Sequence, residues 1–319
     1  MRFFNAILTV FFFTIAQAMQ AYDILPAARL SMPLMEQNGT ARAMAMGSSY
    51  VAIAQGSSAL FWNPAGLGTL QSPEFGLHHN SGLGNYMDEL LVYGTNIQSF
   101  GGFAAAVNYE NYGSFESRDS MGNLTGINTA GGFGLDLGWG RQWFPGVFMG
   151  IALKANQQTL AGTSYNAFAC DAGILWKVSP SLNIGAAYSN LGNQPAGSQL
   201  ASGLRAGLSY SMDIQEENKL LFGIATELQA NGPAGIDTGA EYSLLGMFAV
   251  RLGYVLDTTN QELDGLTGLT AGLGIRIQDI TLDYACSMFG ELGINNRISF
   301  IYNIPLPKPA KQLSKRVIP

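Results

Sequence analysis

From residue 74 to residue 304, apolar residues alternate with small or polar ones at a period of two. The alternation runs in segments of about ten residues, parted by Gly, Asn, Pro, Ser or Asp, which is the pattern of a membrane barrel. Period two sends successive side chains to opposite faces of a strand, so each segment has one apolar face and one that is not. The segments predicted are 74–80, 88–97, 101–112, 131–143, 146–157, 165–177, 181–190, 202–212, 219–229, 235–244, 246–256, 267–277, 279–288 and 296–304. They number fourteen, and a single-chain bacterial barrel needs an even number. The fold expected is therefore all-β: an antiparallel up-and-down transmembrane barrel of about fourteen strands with an N-terminal helical plug.

The chemistry of the two faces assigns inside and outside. Phe133, Leu135, Leu137 and Trp139 share one face of their segment, against Gly134, Asp136 and Gly138. Val147, Met149, Ile151 and Leu153 oppose Gly150, Ala152 and Lys154. Arg205, Arg251 and Arg276 likewise stand opposite apolar faces in their segments. A charge at mid-bilayer costs about 2–4 kcal/mol, so the charged face is the lumen. Sequential strands are neighbours in such a barrel, which pairs Arg205 with Glu227, Arg251 with Asp237 or Glu241, and Arg276 with Asp283. Tyr and Trp near segment ends, Trp139, Trp143, Trp176, Tyr188, Tyr210, Tyr242, Tyr254 and Tyr302 among them, fit interfacial girdles.

Composition agrees with a barrel that hides its apolar surface in lipid. The chain has 40 Gly, 47% hydrophobic residues, only 12% charged ones and a mean hydropathy of +0.14. No apolar stretch after the first residues is long enough for a spanning helix, and lipid admits only helices and closed barrels. Arg2, the apolar run 3–15 and Ala16-Gln17-Ala18 form a signal peptide, 1–18, with cleavage near Met19. The place implied is the outer membrane of a Gram-negative-type bacterium, with its lipid as one partner. A net charge of −6 and a pI near 4.9 with no basic stripe speak against nucleic acid. Cys170 and Cys286 fall on outward faces far apart in sequence, so nothing supports a disulfide.

Residues 19–72 are not strand-like. Thr40 can cap a helix predicted over 41–54, and a second turn is predicted around 57–61. This segment suits a plug folded into a barrel of residues 73–304. Residues 305–319, with three prolines before Lys311, Lys315 and Arg316, read as an extended basic tail. Loops long enough to meet a partner are expected at 113–130, 191–201 and 257–266.

The most distinctive stretch runs from 39 to 67 and contains Ala41-Arg42-Ala43, Met46-Gly47, Tyr50-Val51-Ala52, Ser58-Ala59-Leu60 and Trp62-Asn63-Pro64-Ala65-Gly66-Leu67. It resembles the opening motif of the PorV/PorQ-like outer-membrane proteins, within the wider FadL-type barrel superfamily. The resemblance implies a plugged fourteen-stranded barrel and one of two activities. One is a receptor or scaffold for exported proteins in type IX secretion, the reading favoured from the longer motif. The other is a conduit for hydrophobic small molecules. Barrels of this kind usually end on an aromatic residue, whereas this chain continues past Phe300, Tyr302 and Ile304. Within the motif, Asn63 before Pro64 favours a turn, and Gly66 and Gly68 let the chain reverse. Arg42, Gly47, Phe61, Trp62, Asn63, Pro64 and Gly66 are the candidate plug residues, in a packing or gating role.

No enzyme, cofactor or metal is expected. His78 and His79 are adjacent on a strand and point to opposite faces, which does not suit one metal or a hydrolase site. Asp257, Asn260, Glu262 and Asp264 lack EF-hand spacing and read as a solvated loop. Asn38-Gly39-Thr40 and Asn123-Leu124-Thr125 match glycosylation sequons by letter only, and Gly132-Phe133-Gly134 lacks the strand-to-helix setting of a dinucleotide site.

Overall fold

The computed structural model describes residues 30–31, 39–193, 195, 198–230, 234–257 and 266–306. Fourteen antiparallel strands close into one barrel. The first five are β1 (Glu74–Ser81), β2 (Met87–Ile97), β3 (Gly101–Arg118), β4 (Leu124–Phe144) and β5 (Val147–Leu160). Then come β6 (Thr163–Lys177), β7 (Leu182–Gly192), β8 (Gly203–Gln215), β9 (Asn218–Gln229) and β10 (Ala234–Leu244). The circuit ends with β11 (Phe248–Asp257), β12 (Leu269–Ile277), β13 (Ile280–Met288) and β14 (Ile294–Asn303), which pairs with β1 over Asn303↔Glu74 to Asn296↔Ser81. The expected signal peptide and the tail beyond Leu306 lie outside the described residues, as does most of the loop 257–266.

Every segment that alternates in the sequence is a barrel strand. β2 shows why: Asp88, Leu90 and Val92 are buried inside, while Met87, Leu91 and Tyr93 are exposed on the outer face. The outward belt of Leu, Ile, Val and Phe is apolar surface that only lipid would cover without penalty. On one rim every connection is two to four residues long, and both ends of the barrel sequence, Glu74 and Asn303, lie there. In barrels of this kind the short turns are periplasmic and the long loops extracellular.

The stretch 113–130 is not a loop. β3 and β4 pair across it as a hairpin that projects beyond β2, with Ser114 opposite Thr129 and Glu116 opposite Ile127. A bulge at Tyr112–Gly113, where Gly113 has φ +76°, re-aims the strand as it leaves the barrel. Asp119 closes the turn, accepting from the backbone N–H groups of Met121 and Asn123, each at 2.9 Å. The stretch 191–201 is also partly ordered: Gln199–Leu200 forms a short parallel bridge with Leu30–Ser31.

Residues 39–72 lie inside the barrel. Helix α1 (Ala41–Ala45) is capped by Thr40, whose hydroxyl accepts from Ala43 N. It stops at Met46, not at 54, because Gly47 and Ser48 take left-handed conformations, φ +57° and +62°. Helix α2 (Ala59–Trp62) follows, then a 3₁₀ turn over Pro64–Thr69. The plug backbone lies directly on glycines of the wall. In register across four strands, Gly102, Gly140, Gly150 and Gly173 form one row, and Gly223, Gly239 and Gly253 form another across three. A Cβ on Gly239 would stand 2.7 Å from the carbonyl carbon of Met46, and one on Gly223 2.7 Å from the carbonyl oxygen of Ser49. Such approaches exclude any side chain.

We expect Gly239→Val to leave the barrel closed, with heat-modifiable gel mobility retained, while loosening the plug by about 1–3 kcal/mol through overpacking. Limited proteolysis would then cleave within 41–54. A plug as resistant as in the unaltered chain would contradict this seat.

Candidate functional site

The plug and its wall form the site. Wall side chains satisfy the plug's backbone groups: Ser299 Oγ accepts from Ala41 N at 2.8 Å, and Thr270 Oγ1 accepts from Gly47 N at 3.1 Å. Ser209 donates to Ala52 O at 3.2 Å, and Asn96 donates to Leu70 O at 2.7 Å. Non-helical backbone is tolerated at membrane depth only when buried in protein and paired in this way.

The motif residues have distinct structural places. Asn63, fully buried, donates to Val51 O at 2.9 Å and to Ile174 O on β6 at 3.0 Å, and its side-chain oxygen caps the 3₁₀ turn at Ala65 N. It therefore ties two plug segments to each other and to the wall. Pro64 begins the turn, and Gly66 packs so tightly against the Ala54 carbonyl that no side chain fits. Phe61 is buried in the main apolar cluster. Trp62 stacks edge-on with Tyr50 at 6.0 Å and lies under the Arg205 guanidinium at 5.3 Å.

Arg42 is the plug's charged anchor. Its Nε and Nη2 each donate to a Glu241 oxygen at 2.7 Å, a bidentate pair, and its guanidinium lies 5.8 Å from the Tyr50 ring. Glu241 also accepts from Arg251 Nε at 2.6 Å, and Arg251 Nη1 reaches Asp283 at 2.7 Å. Burial opposes the charge on Arg42, but the facing Glu241 outweighs it and holds its pKa above the ordinary value. Arg251 thus takes Glu241 and not Asp237, which is buried four residues away on the same strand.

The pairing of Arg276 with Asp283 is corrected by the register. Asp283 stands opposite Gly274, and the missing side chain there makes room for the Arg251 guanidinium to reach it. Arg276 stands opposite Thr281, exposed near the short-turn rim, with its Nε 3.4 Å from that hydroxyl. Arg205 and Glu227, direct cross-strand neighbours, form a bridge of 2.8 Å. Lys154 stands opposite Asp136 in the register, yet its ammonium turns to Asp171 at 2.8 Å and to Asn190 at 2.8 Å.

The lumen is divided by the plug. On the short-turn side lies an open cavity of about 1120 Å³, bordered by Arg42, Tyr50, Glu74, Glu241, Arg251 and Asp283. On the β2–β5 side, Leu60, Phe61, Leu67 and Leu70 of the plug meet Leu90, Val92, Ala104, Ala106 and Ala152 of the wall in an unbroken apolar seam. The seam was not foreseen from the sequence. Its signal is the inward run Leu90, Val92, Ala104, Ala106, apolar at successive inward positions of two neighbouring strands.

No protein-family description matches the sequence, and no curated protein matches it either. Solved structures do resemble the fold. The toluene transporter TbuX of Ralstonia pickettii superimposes with a TM-score of 0.62 at 15% identity, over 84% of this chain and 99% of that one. The toluene transporter TodX of Pseudomonas putida gives 0.62 at 12%, over 87% and 100%. A FadL homologue of Pseudomonas aeruginosa gives 0.56 at 11%, over 87% and 100%. The chain has the fold of these bacterial outer-membrane barrels, and the narrower PorV/PorQ likeness has no counterpart among them.

Glu241→Gln removes the carboxylate from two arginines at once, and breaking a buried pair costs about 3–5 kcal/mol. We expect trypsin to cut after Arg42 in this variant and not in the parent. Equal resistance in both would show that the bridge does not hold the plug.

Proposed function

We propose that this chain is a plugged conduit for apolar small molecules in the outer membrane. The apolar seam between plug and wall carries the reading. The other apolar contacts between plug and wall, such as Ala65 on Phe148 and Leu175, are smaller, so the seam is the strip along which an apolar molecule loses least on leaving lipid or solvent. Beyond the loop-side end of the seam, pairing of β3 with β4 shifts register at Tyr112–Gly113, where β3 leaves the barrel. Such a break offers a sideways way out of a closed barrel, because ladder hydrogen bonds are already missing there. The two toluene transporters named above support the same reading by the apolar molecule they carry. A scaffold for exported proteins, the reading favoured from the motif alone, finds no support in those likenesses, and the longest loop it would use is a hairpin. Nothing in the seam brings a nucleophile and a base together, and the reading requires no enzyme activity.

The test is the initial uptake of labelled toluene by cells of a Gram-negative host that make the protein. Uptake should exceed that of cells lacking it. Ala106→Asp, which sets an unpaired charge in the seam at a cost of several kcal/mol, should lower the gain by roughly tenfold or more while the barrel stays folded. Uptake that is unchanged by Ala106→Asp, or absent in the parent, would refute the conduit.

A further inference from the structure

On the loop side of the plug the inner wall is acidic. Six inward carboxylates, Asp88, Glu110, Asp136, Asp171, Glu227 and Asp237, meet three cations among the described side chains, Lys154, Arg205 and Arg297. The cations are committed: Arg297 to Asp88 at 3.2 Å, Lys154 to Asp171 at 2.8 Å and Arg205 to Glu227 at 2.8 Å. Glu110 accepts from the hydroxyls of Tyr86 at 2.8 Å and Tyr112 at 2.6 Å. Asp136 has no such arrangement. It is fully buried, and neither of its oxygens has a hydrogen-bond partner.

Two amides share this condition beside it. Asn108 on β3 and Asn156 on β5 flank Gly134, two residues from Asp136 on the same inner face of β4. Their side-chain oxygens converge over Gly134, where a side chain would collide with both. Asn108 is fully buried and Asn156 4% exposed, and no polar side-chain atom of either has a partner. An unpaired buried polar group is costly, because it has given up water and gained nothing in return. All three stand on the inner face of the wall, so a partner from outside the chain would reach them from the lumen. Asp136 offers acceptors alone, and the two amides beside it offer unpaired oxygens and NH2 groups alike, on an inner wall with excess negative charge.

We propose that Asn108, Asp136 and Asn156 form a head-group station beside the seam, and that the conduit's cargo is an apolar molecule bearing a hydrogen-bond-donating hydroxyl or ammonium group and not a carboxylate. This rests on the conduit reading and narrows it. The apolar body of the cargo lies along Leu90, Val92, Ala104 and Ala106, and its head reaches Asn108, two residues beyond Ala106 on the inner face of β3. A carboxylate head would bring a second negative charge to Asp136 with no free cation to meet it, a repulsion that a poorly hydrated lumen strengthens.

The test compares uptake of decanol, decylamine and decanoate, matched in chain length, by cells making the full protein or its Asp136→Asn form. The parent should take up decanol and decylamine roughly tenfold faster than decanoate, about 1.4 kcal/mol of discrimination. Asp136→Asn, which keeps the shape, should cut the preference for decylamine over decanoate severalfold, with heat-modifiable mobility showing an intact barrel. Asn156→Leu, which removes an acceptor and leaves the charge, should slow decanol and decylamine together. Decanoate entering as fast as the other two, or a preference untouched by both folded variants, would overturn the station while leaving the conduit standing. If none of the three enters above cells lacking the protein while toluene does, the head-group station falls alone. If toluene also fails, the conduit falls and the station with it.

Discussion

The structure depends on how closely the plug backbone approaches the barrel wall. Peptide groups of residues 46–68 rest on the backbone of inward glycines, at separations that a single Cβ would abolish. That contact sets the bore. Fourteen strands enclose more space than side chains alone fill, and here a strip of non-helical chain, seated on glycine, fills the middle. The seat leaves the plug's N–H and C=O groups within reach of Ser209, Thr270, Ser299 and Asn96, which pair with them. The broken course of the plug follows from the same fit. Gly47 turns left-handed with its own N–H held by Thr270, so the helix that Thr40 starts cannot continue.

Polarity inside the barrel is arranged by sector. The β10–β13 sector holds the plug through Arg42, Glu241, Arg251 and Asp283, a chain of charge-assisted bonds that is strong only while complete. Beyond the Asn96 bond to Leu70 O, the β2–β5 sector holds it through apolar contact, which is weaker per group, non-directional and open to replacement by another apolar body. A plug latched by charge on one side and resting on hydrocarbon on the other has its weak face defined. The Asn108, Asp136 and Asn156 cluster lies at the loop-side end of that weak face, so the seam and the unpaired acceptors belong to one surface.

The barrel was legible because lipid forces every outward position to be apolar, and this stamps a period of two on each membrane-crossing strand. Where the constraint lapses, the pattern lapses too. The hairpin 113–130 rises beyond β2, both its faces carry polar residues, and it read as a loop. Cross-strand charge pairing was legible where partners lie directly opposite, as Arg205 and Glu227 do. It misled at Arg276, because an arginine side chain is long enough to skip a residue and Gly274 opened the way for Arg251 instead. The glycine rows were visible as glycines but not as a seat. Strand glycine has many uses, and only the register shows that Gly102, Gly140, Gly150 and Gly173 stand side by side. The fate of the plug motif followed the same rule: Asn63 and Pro64 announced a turn, but the bond from Asn63 to Ile174 is long-range and left no local mark.

Molecules that pass between the plug and the β2–β5 wall need the two to part. A disulfide across that interface would hold them together. A Cβ at Gly94 would stand 2.9 Å from the Ser57 Cβ, near enough to bridge after a small outward shift. Ser57→Cys with Gly94→Cys, in a chain whose Cys170 and Cys286 are replaced by Ala, would clamp the plug just ahead of α2 to β2. Toluene uptake should be lost in the oxidised form and restored on reduction. Uptake equal in the two forms, with the crosslink verified by mass, would contradict it.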